Sequence, residues 1–265
     1  MSIITLLTDF GSQDYFVGAM KGAILSINPR VLIVDITHEI PPQDIEVAAF
    51  NLLATYKDFP AGTIHVAVVD PGVGSTRKPI LIECGEQFFV GPDNGIFSWI
   101  CEREGDGRAI HLTNEAFFRH PVSQTFHGRD IFAPVAAALS TGVAMTEFGE
   151  KLSDYVRLDP LLPAVESDGS IAGRVIQIDR FGNCITNLTR AHFSADQVAS
   201  GAKLRINGRE IASFRQSFFE GAVGRDDLFC LVGSVGFLEI VAHNSSAATI
   251  LKAERGQSVV VTGSR

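Results

Sequence analysis

The chain has 265 residues, 46% of them hydrophobic and 20% charged, which is typical of a folded globular protein and excludes a disordered one. Its 22 basic and 30 acidic residues give a net charge of −8. This balance argues against nucleic acid or an anionic membrane as a partner, because both favour clustered Lys and Arg.

Neither a membrane span nor a signal peptide is expected. No apolar run approaches the roughly 20 residues that cross a bilayer, and residues 1–9 lack a basic segment before their short apolar stretch. The cysteines, Cys84, Cys101, Cys184 and Cys230, are far apart and form no CxxC pair. This spacing favours buried thiols in a reducing compartment, so we expect a cytoplasmic protein.

Residues 1–158 alternate strand and helix signals. Strands are predicted at Ile3–Thr8, Val31–Val34, Ile64–Val69 and Phe88–Val90, and helices at Phe16–Ile27, Asp44–Tyr56 and Gly95–Arg103. The strands are short, continuous apolar runs, as in sheets covered on both faces. The alternation predicts a layered α/β domain with a mainly parallel sheet.

The pattern changes near Leu158. Residues 159–169 form a Pro-rich linker and a turn. Beyond them, short strands are predicted at Gly173–Ile178, Cys184–Leu188, Lys203–Ile206, Leu228–Val232, Phe237–Ala242 and Ser258–Thr262, with Gly and Asn between them. Because almost no helical pattern occurs here, residues 170–265 are predicted to be an all-β, barrel-like domain.

Aspartates mark the ends of the N-terminal strands: Asp9, Asp35 and Asp70 follow the first three, and Asp93 follows the fourth. In open α/β sheets, ligands bind outside the carboxyl ends of the strands. A single aspartate at such a place is better explained as a cap for the next turn or helix. Four at one sheet edge favour a polar ligand site.

Familiar catalytic motifs are absent. Gly72–Lys78 resembles a phosphate loop, but Arg77 stands where that motif needs glycine. There is no GxGxxG after the first strand and no GxSxG. The histidines show neither HxH nor HExxH spacing, so no metal site is predicted, although an acidic sheet edge is also compatible with Mg²⁺.

Two turn-rich segments, 69–77 and 125–134, carry Asp70, Arg77 and His127. A carboxylate, a cation and an imidazole can together activate water: the carboxylate orients or charges the imidazole, and the cation keeps the carboxylate ionised. From these residues alone, His127 is equally well explained as a structural histidine near a helix start, and Arg77 as a surface residue.

Six ordered motifs carry a family resemblance that spans essentially the whole chain. They are Thr8–Gly11, Asp35–His38, Val69–Gly74, Gly91–Gly95, Phe126–Asp130 and Asp179–Asn183. With them the chain resembles the S-adenosylmethionine (SAM) hydroxide adenosyltransferases, which hydrolyse SAM to adenosine and methionine. The resemblance implies an N-terminal α/β domain, a C-terminal β-barrel, SAM as substrate without a cofactor, and a homotrimer with its sites at subunit interfaces.

The resemblance also implies roles for individual residues. Asp70, Arg77 and His127 would activate water, and the related halogenating enzymes carry Tyr where Asp70 stands. The substrate-binding residues would be Asp9 at the ribose, Asp179 at the methionine ammonium, Phe181, Asn183 and Phe219 at the adenine, and Ser234 at the methionine carboxylate. Val235 and Ala242–Asn244 depart from the halogenases, which have arginines in these places.

The sequence is also compatible with three other functions. A SAM-dependent halogenase would form a 5′-halo nucleoside, and a non-catalytic module that binds adenosine or SAM would leave SAM intact. A metal-dependent phosphohydrolase would lose its activity in EDTA.

Overall fold

The computed structural model of the chain describes residues 2–105, 107–219, 224 and 226–263. The chain divides into two compact units, Met1–Pro160 and Leu161–Arg265, and each unit is built on its own sheet. Among the described residues, no helix combines the length and the apolar character that crossing a membrane requires.

The first unit contains seven strands and four α-helices within its described residues. They are β1 (Ile3–Thr8), α1 (Phe16–Ile27), β2 (Leu32–Thr37), α2 (Ile45–Thr55), β3 (Ile64–Val68), β4 (Pro79–Cys84), β5 (Gln87–Pro92), α3 (Ser98–Glu104), β6 (Arg108–Leu112), α4 (Ala133–Ser140) and β7 (Gly149–Leu152). A π-helical turn, Gly128–Phe132, leads into α4.

The sheet of this unit has the strand order β2-β1-β3-β5-β4-β6-β7. The strands β2, β1, β3 and β5 pair in parallel, whereas β5, β4, β6 and β7 pair antiparallel. The predicted α/β layer with parallel strands is confirmed. The antiparallel half arises because β4 and β5 form a tight hairpin, in which Cys84 pairs with Gln87.

The local signals of the sequence explain the helices. Helix α1 buries Val17, Met20, Ala23 and Ile24, which recur at helical spacing. It ends at Asn28, because the following proline disfavours helical backbone there. At the start of α2, the Asp44 carboxylate accepts the Val47 N–H at 3.1 Å, as an N-cap residue does.

The second unit is mostly β-structure. Its elements are β8 (Ala164–Val165), β9 (Ile171–Ile178), β10 (Cys184–Thr189), α5 (Ala195–Ala199), β11 (Lys203–Ile206), β12 (Arg209–Ile211), β13 (Leu228–Val232), β14 (Phe237–Ala242), α6 (Ala247–Leu251) and β15 (Ser258–Thr262). All its named strand pairs are antiparallel, in the order β12-β11-β15-β9-β10-β14-β13, with β8 beside β9.

This sheet nearly closes on itself. Beyond β12, the Arg215 N–H donates to the Cys230 carbonyl of β13, and the Cys230 N–H donates to the Ser213 carbonyl, both at 2.8 Å. These bonds bring the two outer strands of the sheet together around a core that includes Leu204 and Leu238. The predicted barrel-like β-structure is therefore confirmed.

Candidate active site

A cavity of about 430 Å³ lies at the carboxyl edge of the first sheet. Asp9 follows β1 directly, and Asp70 lies two residues beyond β3. Because β1 and β3 are parallel neighbours, their carboxyl ends open at the same edge. The cavity is lined by Asp9, Phe10, Phe16, Pro42, Gln43, Val68, Asp70, Pro71, Val73, Thr125, Phe126, His127 and Gly128.

The four strand-end aspartates do not all share this cavity. Asp35 lies within β2, where it forms an ion pair with Lys21 at 2.6 Å, and it does not line the cavity. Asp93 accepts the Val156 N–H at 2.8 Å and is also absent from the lining. Of the four aspartates that favoured a polar ligand site, only Asp9 and Asp70 line this cavity, because the Lys21 side chain holds Asp35 and the Val156 backbone N–H holds Asp93.

Arg77 connects Asp70 with His127. Its Nε and Nη2 donate to Asp70 Oδ1 and Oδ2 at 3.1 and 2.5 Å, and Nη2 also lies 2.9 Å from His127 Nδ1. The side chains of Asp70 and Arg77 are only 5% and 7% exposed. The order is thus carboxylate, guanidinium, imidazole, with the guanidinium in the middle.

The network fixes the proton on His127. A guanidinium only donates hydrogen bonds, so His127 Nδ1 accepts, and the neutral ring carries its hydrogen on Nε2. Burial, and then the Arg77 charge, lower the pKa of His127 and favour this neutral form. Burial raises the pKa of Asp70, and the Arg77 charge limits that rise.

His127 immediately precedes the π-helical turn that leads into α4. Within that turn the fully buried Asp130 accepts the Ser123 N–H at 2.9 Å and the Arg129 Nε at 2.7 Å. These bonds fix the segment from Ser123 to His127 against the turn. Single π-turns of this kind occur frequently at functional sites.

The two loops of the site meet at Gly74. Its φ is +77°, and a Cβ there would lie 2.3 Å from the Gln124 carbonyl oxygen. Gly62 has nearly the same φ, +79°, with nothing within 4 Å of its Cβ position. Comparing substitutions at Gly74 and Gly62 therefore separates the cost of a left-handed backbone from the cost of a steric clash with Gln124.

Gly74→Ala is expected to destabilise the protein more than Gly62→Ala does. Both pay about 1–2 kcal/mol for the left-handed backbone, and Gly74→Ala adds about 1–3 kcal/mol of overpacking against Gln124. Denaturant unfolding of the two variants measures the difference in the free energy of unfolding. Equal losses of stability would show that the Gly74–Gln124 contact contributes nothing.

Asp9 and the aromatic side chains of Phe10, Phe16 and Phe126 line another part of the cavity. Asp9 Oδ2 accepts the Gln43 N–H at 2.8 Å, while Gln43 has a φ of +66°. The carboxylate retains lone pairs for a further donor. Phe126 packs edge-on against Phe16 and Phe10, with ring centroids 5.1 and 5.9 Å apart.

A second cavity, of about 590 Å³, lies in the C-terminal unit. Its lining includes Phe181, Asn183, Phe218, Phe219 and the residues 241–245. Phe181 and Phe219 are 79% and 85% exposed as residues, which is unusual for large apolar residues. Two exposed rings beside an amide can hold a flat heterocycle.

Asp179 organises the turn that carries these groups. Its Oδ1 accepts the N–H groups of Phe181 and Asn183, and its Oδ2 accepts Asn183 Nδ2, each at 2.9 Å. Gly182 between them has a φ of +84°, and a Cβ there would lie 2.1 Å from Ser246 Oγ. The Asn183 amide is therefore oriented, with its Oδ1 available as an acceptor.

Ser234 lies elsewhere in the same unit. It is an exposed residue in the turn between β13 and β14 and does not line this cavity.

Within each unit the structure brings predicted site residues together. The first unit groups Asp9 with the Asp70–Arg77–His127 set, and the second groups Asp179 with Phe181, Asn183 and Phe219. Phe10, Phe16 and Gln43 also line the first cavity and were not predicted as site residues. Phe10 lies within the Thr8–Gly11 motif and Phe16 shortly after it, but the positive φ of Gln43 has no sequence signal.

Family comparison matches both parts of the chain. Residues 4–149 match the model of the SAM hydroxide adenosyltransferase N-terminal domain, and residues 173–260 match that of the C-terminal domain. The chain belongs to the SAM hydroxide adenosyltransferase family.

Individual relatives and a solved structure are similar to this chain over nearly its full length. A protein of Methanocaldococcus jannaschii named (R)-S-adenosyl-L-methionine hydrolase is 39% identical, over 96% of this chain and 93% of the relative. A fluorinase of Actinopolyspora mzabensis is 26% identical, over 99% of this chain and 97% of the fluorinase. The crystal structure of an uncharacterised conserved protein from Thermotoga maritima superposes with a TM-score of 0.89 at 34% identity, covering 97% of this chain and 99% of that one.

Proposed function

We propose that this protein hydrolyses (R)-S-adenosyl-L-methionine to adenosine and L-methionine, by attack of water on C5′. The observation that carries the proposal is the hydrogen-bonded Asp70–Arg77–His127 set beside Asp9 in one cavity of a SAM hydroxide adenosyltransferase. The R configuration at sulfur follows the name of its relatives.

The leaving group needs no acid. SAM is a sulfonium cation, and when the C5′–S bond breaks, the bonding electron pair stays on sulfur and methionine departs as a neutral thioether. Water is a weak nucleophile, because its pKa is near 15.7 and little of it is ionised at neutral pH. Help is therefore needed on the attacking side, where a general base contributes about 10²–10⁴-fold.

Asp70 is the base in this mechanism. His127 Nδ1 is occupied by Arg77 and its Nε2 carries hydrogen, so the ring offers a donor rather than a lone pair. Asp70 retains a lone pair and takes one proton from water as the oxygen attacks C5′. His127 Nε2–H holds the same oxygen, and Arg77 keeps both neighbours in place.

The remaining substrate contacts follow from the described geometry and the family. Asp9 holds the ribose hydroxyls, and the rings of Phe181 and Phe219 stack on adenine. Asn183 Oδ1 accepts from the adenine amino group, because Asp179 holds its Nδ2. Asp179 has a lone pair left for the methionine ammonium, and Ser234 binds the methionine carboxylate. SAM is the substrate, and the reaction uses no cofactor.

Incubation of the protein with each SAM epimer in ¹⁸O-labelled water tests the function. We expect adenosine labelled at the 5′-oxygen, unlabelled methionine, and faster turnover of the R epimer. Intact SAM would favour a non-catalytic binding protein. A 5′-halo nucleoside formed with added chloride or fluoride would favour a halogenase, although the Asp70 charge should repel a halide.

We also propose a cytoplasmic homotrimer of two-domain subunits, with residues 159–169 as the linker and the active sites at subunit interfaces. An equimolar mixture of Asp70→Asn and Asn183→Ala subunits, unfolded and refolded together, tests this. Because each site would draw on two subunits, about a quarter of the sites should be intact and activity should reappear. If each site belonged to one subunit, the mixture would stay as inactive as its components.

A further inference from the structure

The loop that carries Asp70 and Arg77 arches over the end of another strand. β5 lies between β3 and β4 in the sheet, whereas residues 69–78 run from β3 to β4. The loop must therefore cross the carboxyl end of β5. The turn at the end of β5, Pro92–Gly95, lies at this crossing and has no role in the proposed mechanism.

This turn holds the loop at both ends. Asn94 Nδ2 donates to the Val69 carbonyl at 2.8 Å, directly before Asp70. The Asp93 N–H donates to the Lys78 carbonyl at 2.9 Å, directly after Arg77. One short turn thus contacts the residue that precedes the carboxylate and the residue that follows the guanidinium.

The turn is itself firmly anchored. Asn94 Oδ1 accepts the Ile96 N–H at 3.2 Å, and Asp93 Oδ1 accepts the Val156 N–H at 2.8 Å. At Gly95, with a φ of +95°, a Cβ would lie 2.9 Å from Leu158 Cγ. These contacts keep the donors of Asn94 and Asp93 in fixed positions relative to the sheet.

We propose that Asn94 is a positioning residue, whose bond to Val69 places Asp70 for its paired contact with Arg77 and, through Arg77, for the contact with His127. The inference rests on the function proposed above. A guanidinium that donates to both oxygens of a carboxylate depends on its orientation, and a misplacement of 1 Å at a reacting group can cost about 10²-fold in rate. A bond one residue from Asp70 controls that placement directly.

Two substitutions isolate this bond. Asn94→Asp keeps the acceptor for the Ile96 N–H, removes the donor to Val69 and adds a negative charge, whereas Asn94→Ala removes both groups and adds no charge. Asn28 is a matched control, since its Nδ2 donates to Ser140 Oγ at 2.9 Å and its Oδ1 accepts the Arg30 N–H at 3.2 Å. It lies between α1 and β2, at the amino end of the strand.

Both Asn94 variants should lower kcat for SAM by about 10–100-fold and leave KM and the Kd of adenosine within about twofold, whereas Asn28→Asp should change none of these. A loss in Asn94→Asp alone would show that the new charge is responsible and would overturn the inference. So would unchanged kcat, or equal effects on kcat and KM.

Titration of the His127 ring by NMR gives a readout that does not depend on catalysis. If the loop loosens, Arg77 moves away from Nδ1, and the pKa of His127 rises in Asn94→Ala but not in Asn28→Ala. An unchanged His127 titration in Asn94→Ala would overturn the inference even in an active enzyme. If the unmodified protein does not hydrolyse SAM, the proposed function fails, and this titration still decides the role of Asn94.

Discussion

Replacing Asp70 by asparagine is expected to lower kcat for SAM hydrolysis by about 10²–10⁴-fold, the usual contribution of a general base. Asparagine has nearly the same shape, but it cannot take a proton from water. The KM should change little, because the lost interaction forms in the transition state. Single-turnover measurements with purified protein separate the chemical step from product release and would give the rate constant of the hydrolysis step.

Asp35→Asn is the matched control for this variant. Asp35 lies in β2 of the same sheet, separated from β3 by β1, but it contacts Lys21 and His38 and does not line the cavity. Its ion pair with Lys21 is more than a third exposed on both sides, so the loss of that pair should cost little stability. If Asp35→Asn lowered kcat as much as Asp70→Asn, the effect would lie in the sheet rather than in proton transfer.

The pH dependence has a definite sign under this mechanism. Asp70 must be ionised and His127 neutral, so both requirements are met as pH rises, and kcat/KM should increase from acid pH to a plateau. Burial raises the pKa of Asp70, so the rise in kcat/KM that reflects ionisation of Asp70 shifts to higher pH. Burial and the Arg77 charge lower the pKa of His127, so the rise that reflects deprotonation of His127 shifts to lower pH. A fall in rate on raising the pH through neutrality would contradict Asp70 as the base.

Asp9→Ala is expected to weaken adenosine binding by about 1.5–3 kcal/mol, the range for hydrogen bonds to a charged group. The physical reason is loss of the carboxylate that holds the ribose hydroxyls. Isothermal titration with adenosine measures the effect.

The ribose contact can be separated from the bond between Asp9 and the Gln43 backbone. The unmodified protein should bind 2′,3′-dideoxyadenosine more weakly than adenosine, whereas Asp9→Ala should bind the two nucleosides equally. If Asp9→Ala still preferred adenosine by the original factor, Asp9 would not contact the ribose, and the loss would come from the released loop at Gln43.

The elements of the fold could be predicted where the sequence pattern is local. Ile3–Thr8 and Phe16–Ile27 occur with the predicted bounds, because a continuous apolar run and a helical repeat each specify one backbone geometry. β4 was not predicted, since its residues follow a loop whose glycines and charges dominate the local pattern. Its antiparallel place beside β5 depends on pairing between strands, which periodicity does not encode.

The candidate site divides in the same way. The sequence by itself determined the family, through motifs such as Val69–Gly74 and Phe126–Asp130, and it singled out Asp70, Arg77 and His127 as a set. Only the tertiary structure decided that Arg77 lies between the other two and that His127 therefore donates through Nε2. It also decided that Asp35 lies outside the cavity and that Asn94 supports the loop. These features depend on which strands are neighbours and on contacts between residues far apart in the chain, and local sequence patterns do not specify either.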